Sequence, residues 1–274
     1  MSFKRLSNLT CVHSDKRNRL LKHSICILAA WIALFPTFVF ALPSAPPVQA
    51  GSVAFDQIDS NTLNVIQSTN KAIIDWQSFN IQANEATHFQ MPSSSSINLS
   101  RVTGGVGSEI FGSLTSNGTL MLLNPNGILF GANSKIDVGG LIATTSNISN
   151  DDFMAGNYRF DIPASVNRTV INRGTINVAQ GGLLAFVAPG VENSGIISAN
   201  LGQVFLASGK TFTLDLYGDK LVSLGVDSEI LNQVIGPDGQ PVSSLVANGG
   251  SIHANGGTVF LEVNAAREVV NQVI

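Results

Sequence analysis

Three stretches of the chain repeat one short pattern, and that repetition limits the architecture more than any other feature. They read Val170-Ile171-Asn172-Arg173-Gly174-Thr175-Ile176, Val191-Glu192-Asn193-Ser194-Gly195-Ile196-Ile197 and Val246-Ala247-Asn248-Gly249-Gly250-Ser251-Ile252, so each carries Asn-x-Gly-x-Ile. A further glycine (Gly182, Gly202 or Gly257) follows nine or ten residues after the Asn, and then an apolar strand: Leu184-Ala185-Phe186, Val204-Phe205-Leu206 or Val259-Phe260-Leu261. The first two asparagines are 21 residues apart. A period of about 20–25 residues, made of short strands and Gly/Asn corners, describes one coil of a solenoid. Such a coil cannot bury its apolar side alone; stacking on the next coil at ~4.8 Å closes the core and pairs the backbone. The glycines suit tight corners and left-handed backbone. Asn172, Asn193 and Asn248, stacked at one corner of successive coils, would form an amide ladder. A β-sandwich also gives short strands, but it does not demand the same corner at each return. The expected fold is all-β, a parallel β-helix.

The rest of the body agrees. From residue 42 onward no stretch sustains i, i+3, i+4, i+7 apolar spacing, so no substantial helix is expected. Short apolar runs such as Leu120-Met121-Leu122-Leu123 and Leu183-Leu184-Ala185-Phe186-Val187 are punctuated by Asn, Gly, Ser and Thr, as strands are. The step from Asn193 to Asn248 is 55 residues, not a whole number of 21-residue coils. The excess falls in 209–244, where Tyr217-Gly218-Asp219-Lys220 is flanked by apolar strands and Gly236-Pro237-Asp238-Gly239 marks a loop. That segment reads as a hairpin and loop projecting from the helix. Without it, the remainder suffices for roughly nine coils, on the order of 45 Å.

The head of the chain is a different object. Lys4, Arg5, Lys16, Arg17, Arg19 and Lys22 precede a run of sixteen almost purely apolar residues, Ile25 to Phe40. That run is short for a membrane span of ~20 residues, and Pro36 interrupts it. Val39-Phe40-Ala41 and Val48-Gln49-Ala50 both fit a small-x-Ala cleavage site. Residues 1–41 therefore read as a Sec-type signal peptide with a long basic region; Ala41 is the favoured cleavage point and Ala50 the alternative. Both cysteines, Cys11 and Cys26, lie in this head, so the mature domain 42–274 must do without disulfides. With 15 Lys+Arg against 18 Asp+Glu, the chain has no basic surplus and nucleic acid is not an expected partner.

Between residues 95 and 145 the sequence becomes more specific. Ser95-Ser96-Ile97-Asn98-Leu99-Ser100-Arg101-Val102-Thr103-Gly104-Gly105 and Ile110-Phe111-Gly112 precede Asn117-Gly118-Thr119-Leu120-Met121-Leu122-Leu123-Asn124-Pro125-Asn126-Gly127-Ile128-Leu129-Phe130-Gly131; Val138-Gly139-Gly140-Leu141-Ile142-Ala143-Thr144-Thr145 follows. This series resembles the secretion domain of two-partner secretion exoproteins, the filamentous haemagglutinin-like (haemagglutination activity domain) family, over nearly the whole mature chain. The resemblance implies a right-handed, pectin-lyase-like parallel β-helix with an N-terminal cap and extra-helical hairpins. It implies Sec export to the periplasm and passage through an outer-membrane TpsB/Omp85-type transporter whose POTRA domains recognise this region. Longer members of the family are adhesins, haemagglutinins, cytolysins or growth-inhibition toxins. The secretion motif carried over is Asn124, Pro125, Asn126, Gly127 and Ile128. The family's other motif, Asn-Pro-Asn-Leu, is absent; its weaker form corresponds to Asn98, Leu99 and the nearby Arg101.

Physically, Pro125 fixes its own φ and pushes Asn124 toward extended backbone, while Asn126-Gly127 favours left-handed turn geometry. The motif is expected to be a rigid corner between two apolar strands, its two amides free to bond neighbouring coils.

Candidate chemistry is sparse. His88 and His253 are the only histidines beyond the head, and their spacing suits outward strand positions better than a metal site. Asp151-Asp152 reads as a solvated loop rather than an acid/base pair. Asp215 and Asp219 belong to the hairpin, where a turn explains them without a bound cation. Gly104-Gly105-Val106-Gly107 lacks the helix and the Gly-Lys-Ser/Thr of a phosphate cradle. Trp76 and Phe79 could stack on a sugar, but burial under the cap fits them better. No catalytic residue, metal or cofactor is expected. The rival readings are a carbohydrate-binding adhesin that meets a host-cell glycan or protein receptor directly, and a β-helix polysaccharide lyase or hydrolase. Val269-Val270-Asn271 begins another repeat, so the open end of the helix, 245–274, is an expected surface for self-association.

Overall fold

In the computed structural model the described residues are 42–43, 47–216, 218, 222–225 and 233–263. The signal-like head, the hairpin turn 217–220 apart from Gly218, and the closing stretch 269–274 lie outside them. The chain first runs backwards over what will become its first coil. Strand β1 (Val48–Ala50) lies antiparallel on β4 (Lys71–Trp76), and β2 (Val53–Asp59) lies antiparallel on β3 (Thr62–Gln67). This reversed pair is the N-terminal cap.

From β3 onward the chain winds. After β3 and β4 come β5 (Ala86–Gln90), β6 (Ile97–Val102) and β7 (Ser108–Ile110), then the long β8 (Ser113–Leu123) that serves two faces, and β9 (Ile128–Phe130). β10 (Lys135–Thr144) leads to α1 (Asn150–Ala155) and β11 (Arg159–Phe160) before the coil resumes at β12 (Thr169–Asn172). β13 (Thr175–Val178), β14 (Leu183–Ala188) and β15 (Gly190–Asn193) make one uninterrupted coil. β16 (Ile196–Ser198) and β17 (Gln203–Ser208) are separated by β18 (Phe212–Leu214) and β19 (Val222–Leu224) from β20 (Val246–Asn248); β21 (Ser251–His253) and β22 (Thr258–Val263) follow.

Every coil pairs in parallel with the next. One face is the file β3-β5-β8-β10-β13-β16-β21, the second β4-β6-β8-β10-β14-β17-β22, and the third β7-β9-β12-β15-β20, which Ile81 extends by a bridge to Ile110. Each of the first two files holds seven strands, so the described coils number seven rather than nine. The difference has a physical cause. The cap uses 47–59, and residues 145–168 leave the coil in an excursion of their own, ahead of the one at 209–244, that no periodicity in the sequence announces.

Inside the coils, alternate residues of each strand meet: Ile74 and Trp76, Leu120 and Leu122, Leu184 and Phe186, Val204 and Leu206 on the second face, Ile128, Phe130, Val170 and Val191 on the third. Each such side chain contributes about 1.5–3 kcal/mol on burial. Trp76 is fully buried, edge-on to Phe55 of the cap at 5.6 Å and to Phe79 at 5.3 Å, which leaves neither Trp76 nor Phe79 for a sugar.

The second face is also apolar on its outside. Ile73, Leu99, Met121, Ile142, Ala185, Phe205 and Phe260 lie in one register column, each paired with the next. The two excursions cover this column with Ile148, Phe153, Tyr158, Phe160, Phe212, Leu214 and Val222. Strands buried on both sides read as unbroken apolar runs, which is why Leu120–Leu123 and Leu183–Ala188 do not alternate. β11 pairs antiparallel with β18, and β18 with β19; Phe160 stacks on Phe212 at 4.3 Å. The 209–244 insert is thus extra-helical without standing free of the coil. Asp151 and Asp152, expected in a loop, form the first turn of α1, capped by the Ser149 hydroxyl accepting from the Asp152 N–H at 3.0 Å.

Candidate functional site

The NPNGI segment joins the second and third faces of the third coil. Asn124 is fully buried, and its Oδ1 accepts the Asn126 N–H at 2.9 Å, while the Gly127 N–H closes the turn on the Asn124 carbonyl at 3.0 Å. Positive φ falls on Gly127 (98°), as expected for the Asn126-Gly127 turn, while Asn126 itself is not left-handed and its N–H is held by the Asn124 side chain. Both amides reach back to the preceding coil. Asn124 Nδ2 donates to the Val106 carbonyl at 3.1 Å and to Ser108 Oγ at 3.0 Å; Asn126 Nδ2 donates to the Gly104 carbonyl at 3.0 Å. Ile128 points into the core. The corner therefore fastens the Gly104–Ser108 loop, a partnership the glycine-rich spelling of that loop could have suggested and the sequence reading missed.

Asn98, Leu99 and Arg101 lie on β6, one coil earlier, and do separate jobs. Asn98 is buried inside the coil, donating from Nδ2 to Gln67 Oε1 at 2.9 Å and accepting Ser100 Oγ at 2.7 Å. Leu99 belongs to the outer apolar column. Arg101 pairs through Nε with Asp75 Oδ1 at 2.8 Å, and its terminal nitrogens donate to Asn147 Oδ1, the Ile148 carbonyl and Asn150 Oδ1 at 2.9–3.3 Å. Lys71 adds a second hold, donating to the Phe153 and Met154 carbonyls at 3.3 and 3.1 Å and lying 5.4 Å from the Tyr158 ring centroid. Two cations from the first two coils thus hold the first excursion in place.

Asn172, Asn193 and Asn248 occupy one register position on β12, β15 and β20. Asn172 Nδ2 donates to Asn193 Oδ1 at 2.8 Å, and Asn193 Nδ2 to Asn248 Oδ1 at 2.7 Å. Phe130 fills the place below Asn172, so the ladder begins there. The repeat glycines serve a purpose other than left-handed backbone. A Cβ at Gly195 or Gly250 would collide with the carbonyl oxygen of Gly174 or Gly195 on the coil beneath, and Gly202 and Gly257 stand likewise over Gly182 and Gly202. Positive φ is found at neighbouring positions such as Gly181 and Gly256.

A cleft of about 490 Å³ opens beside the NPNGI corner, walled by Val106, Glu109, Asn126, Leu129, Arg168 and Pro237 among others. His88 and His253 face outward in one register column, separated by Thr115, Asp137, Asn177 and Ser198. His88 Nδ1 shares a 2.7 Å hydrogen bond with Thr115 Oγ1. Asp215 Oδ1 accepts the Gly218 N–H at 2.8 Å, a turn contact; Asp219 lies outside the described residues. Among the described residues no group of three or more His, Cys, Asp or Glu is arranged to hold a metal, and no helix is long and apolar enough to cross a membrane.

A family model described as the TPS secretion domain matches residues 44–274. The chain belongs to the TPS secretion domain family. This TPS domain is 31% identical over 222 residues to the heme/hemopexin-binding protein of Haemophilus influenzae strain Rd, covering 79% of this chain and 24% of that protein. A second Haemophilus influenzae heme/hemopexin-binding protein is 34% identical over 110 residues, 40% of this chain and 12% of the relative. The chain thus spans a quarter or less of the length of these curated relatives. Among solved structures, the HMW1 secretion domain from Haemophilus influenzae matches with a TM-score of 0.65 at 29% identity, covering 80% of this chain and 56% of that one. TPS secretion domains are parts of secreted exoproteins, and these relatives are named for secretion or for heme/hemopexin binding rather than for catalysis.

Proposed function

We propose that residues 1–41 direct Sec export, and that the β-helix 42–274 is a non-enzymatic module recognised by the POTRA domains of a TpsB/Omp85-type outer-membrane transporter. The family match over 44–274 is the observation that carries this reading. The coil geometry gives it a mechanism. Each coil is templated by the one before, since its backbone groups and its apolar interior are satisfied only against that neighbour. A chain leaving a pore N-terminus first can therefore add coils outside one at a time, and each buries apolar area worth ~25 cal/mol per Å², which biases movement outward. The NPNGI corner would contribute by locking the third coil to the second early, through Asn124 and Asn126.

Two measurements test this. Co-expression with a POTRA-bearing barrel should export the chain to the cell surface or medium, and deletion of the POTRA domains should leave it in the periplasm. Single-pair FRET across β6 and β17 should show an unwound chain in the periplasm; a fully wound helix before export would refute folding-driven passage. For the corner itself, Asn126→Ala reducing export with thermal stability unchanged indicates direct recognition, whereas equal loss of both indicates a folding role.

A further inference from the structure

We propose that the outer edge of β2 is a docking site for an extended, basic strand of a partner protein, added to the cap as one more antiparallel or parallel strand. Capping the first coil with a reversed segment moves the unpaired edge outward rather than abolishing it. Among the described residues β2 pairs with β3 alone. The Ser68 N–H bonds the Ser52 carbonyl, which fixes the alternation of the ladder in register with Val53↔Gln67 and Ala54↔Ile66. Ala54 and Asp56 therefore turn their backbone groups toward β3, while Val53, Phe55 and Gln57 turn theirs to the open side. Three donors and three acceptors face outward at strand spacing, the arrangement that β-augmentation uses.

Charge selects the occupant. Asp56 and Asp59 are the only charged residues between positions 47 and 70, and both are exposed. Lys71, the nearest cation in sequence, is committed to the carbonyls of Phe153 and Met154. A second copy of this edge, paired antiparallel with Phe55 opposite Gln57, would set the two copies' Asp56 directly against each other, and like charges directly opposite are destabilising. A strand carrying lysine or arginine gains where self-pairing loses. Ile58, displaced by the bulge between Gln57 and Asp59 and 62% exposed, offers such a strand an apolar contact at the end of the edge. The partner is defined by this chemistry, and the proposal stands whether or not the strand belongs to a transporter.

The test uses the full chain and two labelled peptides of about eight residues, acetylated and amidated, one alternating threonine with lysine and the other threonine with glutamate. Fluorescence anisotropy should give at least about ten-fold tighter binding of the lysine peptide, with amide exchange slowed at Val53, Phe55 and Gln57. Gln57→Pro removes one outward N–H while sparing the bonds to β3 and every charge, so it should abolish binding without shifting the melting temperature. Asp56→Lys should reverse the preference toward the glutamate peptide. Equal binding of the two peptides, no binding of either, or undiminished binding by Gln57→Pro would each overturn the proposal.

Discussion

Asn193 donates from Nδ2 to Asn248 Oδ1 across 2.7 Å, although 55 residues of chain separate them. The hairpin and loop between them leave the coil and return without disturbing its register, because Val191, Glu192 and Asn193 pair one to one with Val246, Ala247 and Asn248. Asn193, the interior amide of the ladder, gives one donor and receives one, so the buried rungs Asn172 and Asn193 sit beside an apolar core with their mutual hydrogen bond made.

Removing the middle rung therefore costs more than removing the outer one. Asn193→Ala leaves Asn172 Nδ2 with only a 3.4 Å contact to the Gly174 carbonyl, and leaves Asn248 Oδ1 without its donor. Asn172 is fully buried, so the expected loss in urea unfolding is about 1–3 kcal/mol. Asn248 is exposed, and Asn248→Ala should cost less than half as much. Equal losses would mean that the ladder is not the source.

The glycine columns give a sharper contrast. Gly195→Ala places a methyl against the carbonyl oxygen of Gly174, and backbone of the coil beneath cannot swing aside as a side chain can. An expected destabilisation of about 2 kcal/mol or more follows, since overpacking costs 1–3 kcal/mol even where side chains can adjust. Gly105→Ala meets nothing within 4 Å and should stay within about 0.5 kcal/mol of the parent. Thermal melts of the two variants side by side decide the matter.

These two columns also show what was legible beforehand. The Asn-x-Gly-x-Ile spacing led directly to stacked coils and to a shared corner for Asn172, Asn193 and Asn248, because a solenoid writes its period into the sequence. The reason for the glycines was misread: close stacking, not left-handed backbone, excludes a side chain at Gly195, Gly202, Gly250 and Gly257. The first excursion went unseen since α1 is a six-residue helix held by capping and by Phe153, too short to show a period. Its signal lay elsewhere, in apolar runs such as Leu183–Ala188 whose outward members needed a cover. Nor could spacing reveal that Arg101 would find its partners 46 to 49 residues downstream as well as at Asp75.

That last contact makes the first excursion separable from the coil. Arg101 supplies one part-buried ion pair and three hydrogen bonds, of which all but the one to Asp75 go to 147–150. Arg101→Ala removes these and frees Asp75, while the parallel ladders of β4, β6 and β8 make their bonds through backbone and lose nothing. Hydrogen bonds to charged groups contribute about 1.5–3 kcal/mol each when broken singly, and part of that is recovered by water at this part-buried site. The expected outcome is a roughly ten- to hundred-fold faster amide exchange across 147–160, with exchange in β14 and β17 unchanged. Arg101→Lys should restore the pair with Asp75 but not the fork to Asn147 and Asn150, giving an intermediate rate. Uniform acceleration through β14 and β17 would show instead that excursion and coil open as one unit, and that the outer column of Leu99, Met121 and Ile142 is never exposed by itself.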